Sequence, residues 1–339
     1  MITSIFASDF KARPFWWEAY EPQPMPETDL PRETEVVIIG AGYAGLSAAL
    51  ELRRNGVDCV VVDAAEPGFG GSTRNGGMVS GGVNVGKGYI AKALPAEDAE
   101  PFLNDAAEAF GHIEDVIARE NIACGWTRAG YFVGAWSRAH FAPMQKKVDL
   151  LNRHSKAEAY LVPEEKQREE IGSDFYRGGM VVGRAGHLHP ALYFKGLLDL
   201  VEREKTKIHS RTPVLSLTQN SGSIDVVTSR GTIKARDVIV ATNGYTGDAT
   251  PDFKRRVVPI GSYIIATEEL SEDLAKALSP RNRSIADTQR VLSYYRLSPD
   301  GKRMIFGGRA KFSPTDPKEA APILYKMMTD RFPELRGTR

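Results

Sequence analysis

The sequence has only two cysteines among its 339 residues, Cys59 and Cys124, and they do not form a C-x-x-C pair. Disulfide frameworks and zinc sites use more cysteines at closer spacing, so neither is supported, and we expect two buried thiols. The six histidines show no H-x-x-x-H or H-E-x-x-H pattern, and we therefore predict no metal site.

A strong net charge is also absent. The chain carries 44 Lys and Arg against 43 Asp and Glu, a formal charge of +1, so no global field attracts nucleic acid or an acidic membrane. No apolar run reaches the ~18 residues that span a bilayer, and no basic segment precedes an apolar one at the N-terminus. We expect a cytoplasmic protein with neither membrane nor nucleic acid as a partner.

Apolar runs that are present predict an α/β fold. Strands of the buried parallel type at residues 35–39 and 58–62 flank a helix at 46–54, and another buried strand covers 238–242. The other predicted segments are helices at about 101–120, 140–155, 191–203 and 318–331, a strand-like run at 124–135, and strands at 207–210, 214–218, 224–228, 232–235, 259–266, 292–297 and 304–309.

The order of these segments predicts two discontinuous domains after a proline-rich arm at residues 1–34. Residues 35–90 and 180–250 are expected to form a Rossmann-like domain. Residues 91–179 and 251–339 are expected to form a second domain around an antiparallel sheet.

A glycine-rich turn separates the first strand from its helix. Gly40, Gly42 and Gly45 fit G-x-G-x-x-G, in which the first glycine allows a sharp turn, the second admits a pyrophosphate and the third lets the helix pack on the strand. The helix N-terminus offers N–H groups to phosphates. Asp63, which ends the second strand, can accept hydrogen bonds from ribose hydroxyls and would repel the 2′-phosphate of NADP. The motif predicts a dinucleotide but leaves NAD and FAD open.

The segment at residues 66–78, EPGFGGSTRNGGM, favours FAD. Its glycines allow the backbone to lie flat against a ligand, and Ser72, Thr73 and Asn75 supply hydrogen-bonding groups. Simple NAD dehydrogenases usually pass from the second strand into a helix without such a loop. The alternative interpretation is a flexible surface loop.

Several segments together resemble the FAD-dependent amine and amino-acid oxidase family, whose members include sarcosine, glycine and D-amino acid oxidases. They are IGAGYAGL (39–46), VVD (61–63), GSTRNGGM (71–78), GHLHP (186–190), VIVATNGY (238–245) and GGR (307–309). The sequences STRNGG (72–77) and PFWW (14–17) are most similar to the branch of gamma-glutamylputrescine oxidase-like enzymes. The resemblance implies an FAD-binding first domain and a substrate-binding second domain.

The resemblance also implies cofactor contacts. The expected FAD-binding residues are Gly40, Gly42, Tyr43, Ala44, Gly45, Asp63, Ser72, Thr73, Arg74, Asn75, Gly76, Gly77, Met78, Val214, Ala241 and Thr242. Residues 72–78 would run along the pyrophosphate and the flavin ring, and Val214 would present its backbone to adenine, although it also fits an ordinary strand position. Arg74 fits two roles, steadying the flavin loop or pairing with phosphate.

For the reaction, the resemblance implies oxidation of a small amine by transfer of a hydride equivalent to flavin N5. The imine would then hydrolyse, and oxygen or another acceptor would reoxidise the flavin. Tyr263, Tyr295 and Arg309 are the expected substrate-facing residues, with Arg309 either holding a carboxylate or pairing with an acid on the rim. His189 is expected to be a loop or helix-cap residue rather than a base.

The family pattern continues beyond the helix near residue 331, whereas this chain stops at residue 339. From this we expect weaker retention of FAD. Three alternatives therefore stay open at this point: a sarcosine- or glycine-type oxidase, an inactive protein with a flavin fold and, less favoured, an NAD dehydrogenase.

Overall fold

The computed structural model describes residues 4–80, 96–310 and 315–339. The helices of this part are α1 (Tyr43–Arg54), α2 (Ala96–Arg119), α3 (Arg138–Phe141), α4 (Met144–Ser155), α5 (Pro190–Arg203), α6 (Pro251–Lys254), α7 (Glu272–Leu278) and α8 (Pro317–Arg331). Its strands are β1 (Glu33–Ile39), β2 (Cys59–Val62), β3 (Met78–Ser80), β4 (Tyr131–Gly134), β5 (Ala159–Val162), β6 (Gly179–Val182), β7 (Ala185–His187), β8 (Lys207–His209), β9 (Val214–Asn220), β10 (Ser223–Thr228), β11 (Gly231–Val240), β12 (Tyr263–Ala266), β13 (Ser284–Asp287), β14 (Ser293–Leu297) and β15 (Met304–Gly308). Short 3-10 helices cover Phe15–Glu18, Gly71–Thr73, Glu164–Glu169, Asn243–Tyr245 and Pro333–Leu335.

The chain divides into two compact units. The six-stranded unit comprises Trp16–Asn75 and Pro190–Ile260, and the seven-stranded unit comprises Met1–Phe15, Gly76–His189 and Gly261–Arg339. Residues 76–80 and 180–189 both lie in the seven-stranded unit, where β3 pairs with β7, antiparallel, with Met78 opposite His187. The sequence pattern had placed both stretches with the first domain.

The six-stranded sheet has the order β8-β2-β1-β11-β10-β9. Its first four strands are parallel, and β10 and β9 extend it as antiparallel neighbours. Val37, Ile38 and Val61 are fully buried, which explains why β1 and β2 are continuous apolar runs. Each such side chain contributes about 1.5–3 kcal/mol of burial free energy, which stabilises the sheet whose carboxyl edge carries the connecting loops.

One strand assignment from the sequence was wrong. Residues 232–235 and 238–242 are not two strands, since β11 runs unbroken over Gly231–Val240. Arg236 and Asp237 look like a break in the sequence, yet both lie within the strand and bond to each other at the surface. Pairing with β1 from Lys234 to Val240 holds the segment extended through these two polar residues.

The seven-stranded sheet has the order β12-β15-β14-β13-β4-β6-β5, and only β13–β4 among its pairs is parallel. One face forms the larger core, in which Tyr295, Phe306 and Phe332 pack with residues of α7 and α8. On the opposite face, Met180 and Val182 pack against Met144, Val148 and Leu151 of α4. This second core lies at the β4-β6-β5 end of the sheet.

Both cysteines are buried and unpaired, as predicted, and burial raises the pKa of each thiol to about 11. Within the described ranges, no helix is long and apolar enough to cross a bilayer. The same ranges contain no group of three His, Cys, Asp or Glu residues suited to a metal ion.

Candidate functional site

The glycine turn joins β1 to α1 at the carboxyl edge of the parallel strands. Gly40 has φ +111°, and a Cβ there would lie 2.8 Å from the carbonyl oxygen of Ala241. A Cβ on Gly45 would lie 1.8 Å from the carbonyl oxygen of Gly40. The first approach packs the turn against the end of β11, and the second brings the first turn of α1 directly against the end of β1, where a ligand can reach the backbone.

Backbone N–H groups are open at this turn. In the described part of the chain, no group accepts a hydrogen bond from the N–H of Gly42, Ala44 or Gly45. The neighbouring N–H groups are used internally: Ala41 donates to Asp63 Oδ2 at 2.7 Å and Tyr43 donates to Ser72 Oγ at 3.0 Å. Three open donors within one turn at a helix N-terminus fit an anionic diphosphate.

Asp63 follows β2 and organises the turn beside it. Its carboxylate accepts hydrogen bonds from the N–H groups of Ala41 and Ala65, which leaves further acceptor positions on its oxygens. Burial raises the pKa of this carboxyl, and the two N–H bonds act against that shift. Thr212 donates its N–H to the Asp63 carbonyl at 2.7 Å, so the segment that leads into Val214 and β9 lies beside Asp63. This arrangement suits a ribose and its base.

The loop at residues 71–75 is fixed to the glycine turn. Besides the bond from Tyr43 to Ser72 Oγ, the Asn75 side chain donates to the carbonyls of Gly71 and Ser72 at 3.1 and 2.9 Å. Thr73 is fully buried, and its hydroxyl donates to the Gly68 carbonyl at 2.8 Å. The predicted pyrophosphate turn and the first half of the predicted flavin loop are therefore in direct contact.

Arg74 lies over two neighbouring aromatic rings. Its guanidinium carbon is 4.7 Å from the ring centroid of Trp17 and 4.2 Å from that of Phe69. Burial lowers the pKa of Arg74. Its Nε is buried, and no described residue accepts a hydrogen bond from it. The sequence did not predict these ring contacts.

The remaining predicted flavin-loop residues, Gly76, Gly77 and Met78, lie in the seven-stranded unit. Leu188 donates its N–H to the Gly77 carbonyl at 2.8 Å. Arg296, buried within β14, donates to the carbonyls of Gly76 at 3.0 Å and Leu188 at 2.7 Å, and burial lowers its pKa to about 9. Arg296 was missed because an arginine in a strand pattern suggests a surface position.

Tyr263 and Tyr295 lie on the core-facing side of the seven-stranded sheet. Tyr295 is fully buried, stacks on Phe306 with ring centroids 5.1 Å apart, and shares a 2.7 Å hydrogen bond with the Tyr176 hydroxyl. Tyr263 packs against the same core, and its hydroxyl accepts from the N–H of Thr315 at 2.7 Å. The position of Tyr295 gives no support to its predicted contact with substrate, because its face of β14 is covered.

The adjacent Tyr294 occupies the opposite face. Its hydroxyl lies 2.9 Å from Ser262 Oγ, and its ring fills the space that a Cβ on Gly307 would enter, at 2.2 Å. Burial raises the pKa of Tyr294 above its usual value. Arg309 follows β15, is exposed, and pairs with no carboxylate in the described part of the chain. The predicted trio is thus not gathered at one place: Tyr263 and Tyr295 pack at the core, whereas Arg309 is exposed beyond the end of β15.

Two buried histidines flank Leu188. Burial, with a smaller effect of Arg296, lowers the pKa of His187 to about 3 and that of His189 to about 4. Both are therefore neutral and very weak bases at pH 7. His189 donates its backbone N–H to the Cys124 carbonyl at 2.7 Å and directly precedes α5.

Comparison with known proteins places this geometry in context. The family model described as FAD dependent oxidoreductase matches residues 35–339. The chain is 31% identical over 306 residues to gamma-glutamylputrescine oxidoreductase of Escherichia coli (strain K12), covering 90% of this chain and 71% of that protein. It is 32% identical over 314 residues to the probable oxidoreductase OrdL of Haemophilus influenzae, covering 90% of this chain and 70% of that protein.

Solved structures share the fold at low sequence identity. L-proline dehydrogenase from P. horikoshii matches with a TM-score of 0.70 and 17% identity, over 91% of this chain and 79% of that chain. Glycine oxidase from Geobacillus kaustophilus matches with a TM-score of 0.70 and 13% identity, over 91% of this chain and 80% of that chain.

Proposed function

This chain belongs to the FAD dependent oxidoreductase family, and we propose that it oxidises the carbon–nitrogen bond of a small amine that also carries a carboxylate. Gamma-glutamylputrescine is the first candidate substrate, because a relative that is 31% identical is a gamma-glutamylputrescine oxidoreductase. The family match and the fold confirm the predicted family, the α/β class and FAD as cofactor.

The observation that carries the proposal is the open row of N–H groups at Gly42, Ala44 and Gly45. We propose that these donors hold the diphosphate of FAD, with Asp63 on the ribose and the backbone of Val214 at the adenine. Gly40 and Gly45 provide the close approach that the turn needs. The residues proposed to complete the cofactor site are Tyr43, Ser72, Thr73, Arg74, Asn75, Gly76, Gly77, Met78, Ala241 and Thr242.

The chemistry that bound FAD supplies is acceptance of a hydride equivalent, at N5, from the carbon beside the amine nitrogen. The protein has to orient the amine and keep it in a reactive protonation state. His187 and His189 are too weakly basic to remove a proton from an ammonium group near pH 7. The substrate is therefore proposed to react from its neutral amine form.

Tyr294, rather than Tyr295, is proposed to orient the substrate. It lies on the opposite face of the sheet from the core, with Ser262 as its hydrogen-bonding neighbour. Because burial raises its pKa, the phenol stays protonated at neutral pH and can donate a hydrogen bond. The Tyr294 ring also lies beside Gly76 of the proposed flavin loop, because a Cβ on Gly76 would be 3.1 Å from Cε2 of the ring.

Arg309 is proposed to bind the carboxylate of the substrate. It follows the strand that carries Gly307, it is exposed, and no described carboxylate pairs with it. A guanidinium binds a carboxylate through two parallel hydrogen bonds, which fixes orientation as well as charge. This argument selects amines with a carboxylate and disfavours simple diamines.

Anaerobic reduction of the purified flavoprotein tests the proposal without assuming an electron acceptor. Gamma-glutamylputrescine should bleach the visible absorbance of bound FAD, whereas putrescine, which lacks the carboxylate, should do so much more slowly. Hydrogen peroxide formed in air would identify oxygen as the acceptor. Equal rates with both amines would contradict the role of Arg309, and no reduction by any amine would contradict the proposed reaction.

A sarcosine- or glycine-type amino-acid oxidase is the second candidate, since the proposed carboxylate site also fits these small substrates. A glycine oxidase of Pseudomonas aeruginosa is 25% identical to the chain over 256 residues. Faster reduction by sarcosine or glycine than by gamma-glutamylputrescine would favour this reading.

A further inference from the structure

Trp17 belongs to the N-terminal arm but contacts the loop proposed to carry the flavin. Its indole Nε1 donates a 2.8 Å hydrogen bond to Thr73 Oγ1, which lies 56 positions further along the chain. Its ring faces the guanidinium of Arg74 and lies 5.9 Å, centroid to centroid, from the ring of Phe69. One side chain thus contacts three residues of the segment 66–78, namely Phe69, Thr73 and Arg74.

These contacts continue into the glycine turn. Thr73, the acceptor of the indole N–H, donates its own hydroxyl proton to Gly68, so it is held from both sides. Ser72, its neighbour, accepts from the backbone N–H of Tyr43 in the first turn of α1. A displacement of Thr73 therefore changes the position of Ser72 beside the three open N–H groups.

We propose that Trp17 is a positioning residue for FAD: it holds residues 72–75 in the conformation that receives the cofactor. The inference rests on the proposed placement of FAD along residues 72–78. Trp17 need not touch FAD, because its effect passes through Thr73 and Arg74. Without the indole N–H, the Thr73 hydroxyl loses one of its two hydrogen-bonding partners. Part of the binding free energy of FAD is then used to order the loop, so FAD binds more weakly.

Three variants separate the hydrogen bond from general packing. Trp17→Phe removes the N–H but keeps an aromatic face for Arg74, Thr73→Val removes the acceptor at nearly constant volume, and Thr73→Ser restores the hydroxyl. The loss of one neutral hydrogen bond predicts about a 2- to 10-fold increase in the Kd of FAD for Trp17→Phe. The Kd of FAD should rise at least as much in Thr73→Val, whereas in Thr73→Ser it should stay close to that of the unchanged chain.

The double variant Trp17→Phe/Thr73→Val should bind FAD no more weakly than Thr73→Val alone, since both changes remove the same bond. Trp136→Phe is the matched control, because Trp136 is 43% exposed and lies in the seven-stranded unit. Its Kd for FAD should be unchanged. Thermal unfolding of each apoprotein, and the visible spectrum of its bound flavin, should be recorded beside the titrations.

An unchanged Kd and flavin spectrum in Trp17→Phe would overturn the inference, even if the apoprotein melts earlier, because Trp17 would then serve stability alone. The inference would also be overturned if the fold-increases in the Kd of FAD caused by Trp17→Phe and Thr73→Val multiply in the double variant. Amine oxidation does not enter this test. If the FAD affinities of the variants follow the predicted order but the chain oxidises no amine, the result would support the inference and refute the proposed function.

Discussion

Gly45→Ala tests the close approach on which the proposed diphosphate site depends. The new Cβ would lie 1.8 Å from the Gly40 carbonyl oxygen, 3.0 Å from its carbonyl carbon and 3.3 Å from Ile38 Cγ2. Ordinary van der Waals contact begins near 3.4 Å, and the nearest atom is backbone, so the first turn of α1 or the turn at Gly40 has to move. Either movement displaces the N–H groups of Gly42 and Ala44.

Overpacking of a well-packed site costs about 1–3 kcal/mol, and a backbone overlap this close belongs at the upper end of that range or above it. If about 1.4–2.8 kcal/mol of this cost falls on the cofactor-ready conformation, the Kd of FAD rises by about 10- to 100-fold, at 1.4 kcal/mol for each factor of ten. Titration of apoprotein with FAD measures this change, and thermal unfolding shows how much of the cost falls on the fold.

Gly247→Ala is the matched control in the same unit. A Cβ on Gly247 would meet only the Tyr245 carbonyl oxygen, at 4.0 Å, so both FAD binding and stability should be retained. Wild-type affinity in Gly45→Ala, with an unchanged unfolding midpoint, would refute the reasoning, because the structure leaves no room for this methyl group without movement.

The other predictions concern the substrate face and acid stability. Tyr294→Phe should slow flavin reduction by the amine with little change in the unfolding midpoint. Tyr295→Phe should lose about 1 kcal/mol of stability, because it loses the hydrogen bond to Tyr176, and should keep the reduction rate. The reverse pattern would support Tyr295 as the substrate contact. Arg309→Gln should raise the KM for gamma-glutamylputrescine at least about tenfold while leaving that for putrescine nearly unchanged, and equal changes for both amines would exclude a carboxylate contact. Burial lowers the pKa of His187 in the folded chain to about 3, against an ordinary value of 6.5, so the unfolded chain binds the extra proton and stability falls as the pH drops from 6.5 towards 3. Urea unfolding should show a shallower loss between pH 6.5 and 4 for His187→Asn, and an unchanged slope would refute burial as the cause.

Local patterns in the sequence predicted the glycine turn because its residues are consecutive and its strand and helix are strongly apolar. Asp63 was predicted for the same reason, since it ends an apolar strand at the expected distance from Gly40. The contact of Trp17 with Thr73 could not be predicted this way. It joins positions that are 56 residues apart, and nothing local in the arm specifies which loop the indole reaches.

The position of Tyr295 shows what a strand pattern leaves open. Adjacent strand residues point to opposite faces, so the pattern that selected Tyr295 did not indicate which face of β14 would be covered. Packing of α7 and α8 against β14 and β15 decides this, and it buries Tyr295. Arg296 was missed on the same strand because its partners are backbone carbonyls of Gly76 and Leu188, which carry no signal in the sequence.

Strands at 159–162, 179–182, 185–187 and 284–287 were also missed. They are three or four residues long, so they contain too few residues for a reliable period-two pattern. Some of their pairing partners are distant in sequence: β13 pairs with β4, and β7 pairs with β3. The sheet itself, rather than local preference, determines that these segments are extended.

Hydrogen exchange of the backbone amides, with and without FAD, tests the central claim most directly. If FAD is held as proposed, its addition slows exchange at Gly42, Ala44 and Gly45 and along residues 72–78, because bound phosphate and ring cover those N–H groups. Protection confined to other segments, with exchange at Gly42, Ala44 and Gly45 unchanged in the FAD-saturated protein, would contradict the account.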